Sequence, residues 1–133
     1  MAAESNLQTL LGTMQPKLLA DEFVFCTVPE TKFADLDGLN PLAMFREDEG
    51  LSLILEKSVA DGAGLEYQSV FRAISLTVHS SLDAVGFTAA ITTKLTAGGV
   101  SANVVAAHYH DHVLVPADKS ELALQLLAEF NDS

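Results

Sequence analysis

Between Ala73 and Leu127 the hydrophobic pattern of the chain switches period three times, and this alternation restricts the fold more than any other feature. From Ala73 to Val78 the period is two: Ile74, Leu76 and Val78 share one face and Ala73, Ser75 and Thr77 the other, the signature of a strand. Ser80 or Ser81 is placed to cap a following helix, with Asp83 three residues after Ser80 as a capping box requires. Ala84, Phe87, Ile91 and Leu95 then recur at spacings of three and four, one apolar stripe of a helix that Gly98-Gly99 stops. Val100 to Ala107 is apolar on both faces and predicts a central strand. His108 to His112 reads as a turn, and Val113-Leu114-Val115 resumes extended chain before Pro116. Asp118 followed by Glu121 opens a last helix whose face is Leu122, Leu126 and Phe130. The order is strand, helix, strand, strand, helix.

The N-terminal half runs through a similar order. Leu7, Leu10, Leu11 and Met14 predict a helix closed before Pro16. Glu22 to Val28 predicts a strand, and Pro29 to Gly38 a polar, turn-rich connection. Ala43 to Arg46, an acidic turn Glu47-Asp48-Glu49-Gly50, and Leu51 to Leu55 form a hairpin. Ser58 to Gly64 suits a short helix and Tyr67 to Val78 a long extended stretch. The halves superpose as a repeat of element order with little residue identity. The first repeat lacks an opening strand and the second a closing one, so a long strand around Phe71 to Val78 is expected either to serve both sheets or to leave each to be completed by its neighbour. The expected class is α+β: two ferredoxin-like βαββαβ units, residues 1–68 and 69–133, with antiparallel sheets and helices on one face.

Composition narrows the function classes. In 133 residues there is room for one ordinary domain or two very small ones. Hydrophobic residues make up 49%, which excludes disorder. Acids outnumber bases 18 to 7, for a formal net charge of −11. Such a surface repels phosphate backbones and anionic lipid, so neither nucleic acid nor membrane is an expected partner. There is no basic leader followed by an apolar run and no charge-free stretch long enough to span a bilayer, so a cytoplasmic protein is expected. The single cysteine, Cys26, lies within Phe23 to Val28 and reads as a buried, inert thiol.

Motifs for catalysis are absent. Ser80 and Ser81 neighbour His79, but no G-x-S-x-G elbow surrounds them, and no Walker A or dinucleotide glycine pattern occurs. The acidic run Glu47 to Glu49 lacks calcium-loop spacing. His108, His110 and His112 are spaced to share one face of a strand, where imidazoles converge on a divalent metal; in a tight turn the same residues splay. A polar hairpin, a pH-sensitive edge and a metal site are the readings of this cluster.

The residues Phe71 to Leu82, Val85-Gly86-Phe87-Thr88-Ala89, Ser101 to Ala106 and His110 to Pro116 resemble the ACT-domain superfamily. The segments Leu10 to Pro16 and Phe45 to Leu51 extend that resemblance to a group of short bacterial proteins with two ACT-like units. The C-terminal half is also similar to the regulatory ACT units of aspartate kinases. The resemblance implies a non-catalytic regulatory protein without cofactor, commonly paired side by side as a dimer, with an amino acid or similar small molecule bound between units. Carried onto this chain, the ligand loop is Ser80, Ser81, Leu82, Asp83, Val85, Gly86 and Phe87, and the second-strand positions are Asn103 and Val104. His110 and Asp111 fall near a docking partner unit. The N-terminal unit lacks a recognisable glycine-containing ligand loop. Chemically, a helix N-terminus suits a carboxylate, Asn103 offers donor and acceptor, and Asp83 or Asp111 suits an ammonium. The same residues are equally explained as a helix cap and a turn.

Overall fold

The computed structural model describes residues 6–78 and 84–132. Its elements are α1 (Leu7–Thr13), β1 (Pro16–Val28), a 3-10 helix (Glu30–Gly38), β2 (Ala43–Glu47), β3 (Gly50–Glu56), α2 (Lys57–Gly62), β4 (Phe71–Leu76), α3 (Phe87–Ala97), β5 (Asn103–Ala106), β6 (Asp111–Pro116) and α4 (Ser120–Ala128), with short 3-10 turns on either side of α4. The α+β, ferredoxin-like class expected from the sequence holds.

The chain divides into two compact units, one of them discontinuous: Ala20–Phe71 forms the first, and the chain up to Leu19 joins the chain from Arg72 to form the second. The linear division expected after residue 68 and this spatial division differ at the N-terminus. The reason is burial. Leu10 on α1 and Met14, its C-cap residue, are fully buried in the same core as Ile74, Ile91, Val113 and Leu127. Asn6 caps α1 by accepting from the Thr9 N–H at 3.0 Å, and Pro16, which has no N–H to donate, starts β1.

In the Ala20–Phe71 unit the strand order is β2-β3-β1. The partners of β3 are both antiparallel: Cys26 faces Leu53 on one side and Met44 faces Leu53 on the other. Alternation along β1 turns Val24, Cys26 and Val28 into a core with Leu51, Leu53, Leu55 and Ala60. Cys26 is the buried thiol anticipated, and burial pushes its pKa up. The acidic hairpin turn forms as expected. Gly50 closes it with φ of 142°, a conformation reserved for glycine, and an added Cβ would stand 2.7 Å from the Val28 carbonyl oxygen.

In the discontinuous unit β1 contributes its first residues to the order β1-β4-β6-β5. The strand that passes through both units is therefore β1, thirteen residues long, and not the stretch around Phe71 to Val78. Only Phe71–Leu76 of the predicted extended stretch is strand, because Leu65, Tyr67 and Val70 turn onto the other unit's core. β5 is an edge strand, not a central one. Its apolar neighbour Val100 leaves the strand to cover the end of α3, donating its N–H to the Leu95 carbonyl at 2.9 Å. Phe87, Ile91 and Leu95 form the buried stripe of α3, with Ala84 packing beside them from outside the helix. On α4 the fully buried positions are Ala123 and Leu127, one residue on from the expected stripe; Leu122, Leu126 and Phe130 flank them. Gly98 permits the approach of α3 and α4, since a Cβ there would lie 2.3 Å from a Leu126 methyl.

Candidate functional site

The residues expected to bind a ligand belong to three parts of the discontinuous unit: the chain after β4, the start of α3, and the β5–β6 hairpin. Beyond Leu76, the Thr77 N–H donates to the Gln15 carbonyl at 3.1 Å and the Val78 N–H to Leu76 at 2.8 Å. Ser80, Ser81, Leu82 and Asp83 lie outside the described residues, so the capping box proposed for them does too. The helix itself begins at Phe87 and not near Ser80. Gly86, with φ of 93°, is left-handed and interrupts any helix arriving from upstream. Gly86, the residue at the N-cap, has no side chain to cap α3. Val85, next to this opening, is 87% exposed, whereas Phe87 is buried and anchors the helix start.

Asn103 is the first residue of β5 and its side chain is exposed. It pairs with Leu114, and Val104, which turns toward the core, pairs with Val113. An edge strand leaves alternate backbone groups unpaired, which is the backbone feature a ligand or a further strand requires.

The hairpin turn forms at Ala107 to His110, where the Ala107 N–H donates to the His110 carbonyl at 3.2 Å. The three histidines diverge as a turn predicts. His108 is exposed, with its ring edge-on to Tyr109 at 4.7 Å. His110 Nδ1 approaches the Val78 carbonyl at 3.5 Å. His112 lies on β6 opposite Val105, its Nδ1 buried without a partner. Among the described residues no group of three His, Cys, Asp or Glu side chains is arranged to hold a metal.

Asp111 is buried, 7% exposed. Burial raises its pKa, opposed by the positive charges available on His112 and His110. Burial also lowers the His112 pKa, with His110 adding to the effect and Asp111 opposing it. Asp111 lies opposite Ala106, three residues or about 10 Å from Asn103 at 3.3 Å per residue, and His112 lies opposite Val105, two residues from it. The fold thus brings His110, the neighbour of Asp111, to Val78, and sets Asn103 apart from them. The Val78 carbonyl is the contact that residue-type reasoning missed, because a backbone acceptor leaves no trace in side-chain patterns.

Comparison with protein families supplies the relation this arrangement suggests. An ACT-domain model matches residues 2–72, and a second ACT-domain model matches residues 68–129. The chain belongs to the ACT-domain family. Among solved structures, this ACT-domain protein is similar to a Vibrio cholerae protein of unknown function described as a possible transport protein: identity is 51%, 94% of this chain and 95% of that one are covered, and the TM-score is 0.85. An Agrobacterium tumefaciens protein shares its fold at 19% identity, 89% coverage of each chain and a TM-score of 0.72. So does the regulatory subunit of aspartate kinase from Thermus flavus, at 14% identity, 86% and 95% coverage and a TM-score of 0.67. Among curated proteins none matches. Two ACT domains account for almost the whole chain, and among the described residues no helix is long and apolar enough to cross a membrane.

Proposed function

We propose that this tandem ACT protein is a non-catalytic, cytoplasmic regulatory protein that binds a small molecule, an amino acid, and pairs with a second copy through its sheet edges. Two separate features of the discontinuous unit support this reading: an exposed Asn103 at the head of the edge strand β5, and an α3 that starts at the left-handed Gly86. An open first turn offers partial positive charge to a carboxylate, and Asn103 offers both donor and acceptor to a zwitterion. The loop Ser80 to Phe87, Asn103, Val104, His110 and Asp111 remain the residues proposed to contact ligand. The buried Asp111 carboxyl is the least suited of them to meet an ammonium in the unliganded protein. The fold likeness to an aspartate-kinase regulatory subunit supports a regulatory role.

The test is a thermal-shift screen against the twenty amino acids. A ligand at 100 times its dissociation constant adds about 2.7 kcal/mol, a shift of several degrees for a chain of this size. One clear hit that Asn103→Ala abolishes, with the unliganded melting temperature unchanged, supports the site. A flat screen together with a dimer whose dissociation follows β5 substitutions would replace it with a ligand-free interaction module. That second reading is favoured by the edge position of β5 alone.

A further inference from the structure

The Ala20–Phe71 unit contains a cleft of about 320 Å3 where the end of β1, the 3-10 helix and the chain after α2 meet. Its origin lies in the geometry of the 3-10 helix. With three residues per turn, side chains three apart stand one above the other. Leu36 and Leu39 form one apolar row, and Lys32 and Asp35 form the charged row beside it. Opposite them α2 stops at Gly62, and the chain bends back with the Leu65 N–H bonded to the Ala60 carbonyl at 3.0 Å. A thin helix on one side and an early helix end on the other leave the space unfilled. Its floor is Val28, Leu36, Leu39 and Leu65.

The rim carries both signs of charge. Among the described residues neither Lys32 nor Asp35 joins an ion pair or a side-chain hydrogen bond, although the helix places them three apart. In a chain of net charge −11, a lysine beside an apolar cleft is a local exception that an anion would find. The cleft's volume lies at the low end of the range of small-molecule sites, which suits one small molecule.

We propose that this cleft is a second ligand site, which takes a free aliphatic α-amino acid with its side chain on the leucine floor, its carboxylate at Lys32 and its ammonium at Asp35. The proposal rests on the regulatory reading for the class of ligand; the position of the site is independent of it. Unlike the site at Asn103, it lies wholly within the N-terminal ACT match.

The test is a titration of the full chain, 13C-labelled at leucine and valine methyls, with leucine. Methyl shifts at Val28, Leu36, Leu39 and Leu65 are expected to saturate together. Lys32→Met and Asp35→Asn should each weaken binding at least tenfold, and 4-methylpentanoate and 3-methylbutylamine, each lacking one charge, should bind at least tenfold more weakly than leucine. Both substitutions fall on exposed positions, so the fold is retained. Floor methyls that stay still, or an affinity that neither variant changes, overturn the proposal. Saturating shifts confined to Val85 and Val104 overturn it while supporting the Asn103 site. Shifts confined to the cleft support it and count against that other site.

Discussion

In the discontinuous unit, α3 and α4 lay eleven and nine residues of α-helix across the sheet. In the Ala20–Phe71 unit the corresponding cover is a nine-residue 3-10 helix with no buried residue and a six-residue α2 with one, Ala60. The consequence is visible in the cores. α3 and α4 send Phe87, Ile91, Leu95, Ala123 and Leu127 inward. The thinner cover reaches its core with the half-buried Leu36 and Leu39 and leaves a cleft beside them. One strand plan thus supports a filled unit and an incompletely filled one. The difference lies in helix type, because a 3-10 helix presents a narrow row of side chains where an α-helix presents a broad stripe.

The sharpest test of this contrast is a pair of truncations read by urea unfolding. Ile91→Ala removes a fully buried side chain from the filled core and should cost about 2–5 kcal/mol. Leu39→Ala, at the edge of the cleft, should cost less than about 2 kcal/mol, since the site is already partly open. Equal losses would erase the distinction between the units. A second pair concerns glycines within the less filled unit. Gly50→Ala forces a side chain into a left-handed position against the Val28 carbonyl and should cost about 1–3 kcal/mol. Gly62→Ala, in α2 with nothing within 4 Å of the added carbon, should instead gain up to about 1 kcal/mol. A loss at Gly62 would show that α2 is tighter than its short length implies.

In the filled unit two side-chain nitrogens among the described residues are buried without a partner, Arg72 Nε and His112 Nδ1, and the second belongs to a group that titrates near neutral pH. Its pKa is lowered by burial in the folded chain. A histidine with a depressed folded pKa supplies stability above its unfolded value, near 6.5, and loses it as the pH falls through the folded value. His112→Leu should therefore raise the melting temperature relative to the parent more at pH 5.5 than at pH 7.5. An advantage that is constant with pH would show that the titration of His112 is not coupled to folding. The smallest effect is expected at the pair Lys94 and Glu129, 2.6 Å apart and partly solvent-accessible. Glu129→Gln should cost less than about 1 kcal/mol and less still in high salt.

Local pattern made much of this legible. The acidic hairpin, the helix before Pro16, the Phe87, Ile91, Leu95 stripe and its glycine stop all follow from neighbours in sequence, and each is found where neighbours alone place it. The candidate site was less legible. The capping pattern of Ser80 and Asp83 predicts a helix start earlier than the one found, because the left-handed Gly86 decides where α3 begins. The apolar composition of β5 predicts a central strand, but its order in the sheet depends on pairings with distant strands. The distance from Asn103 to His110 and Asp111 likewise follows from a register that no local signal encodes.

By itself, then, the amino-acid sequence determined the element types, the turn chemistry, the acidic surface and, through its resemblance, the ACT fold. Those properties depend on periods of two and three to four residues and on residues with special backbone preferences. Only the tertiary structure decided that β1 passes through both units, that α1 joins the C-terminal core, and that Lys32 and Asp35 flank an apolar cleft. These are consequences of which apolar faces bury each other across long sequence separations. Burial is non-directional and sums over many weak contacts, so no single stretch of residues carries its outcome.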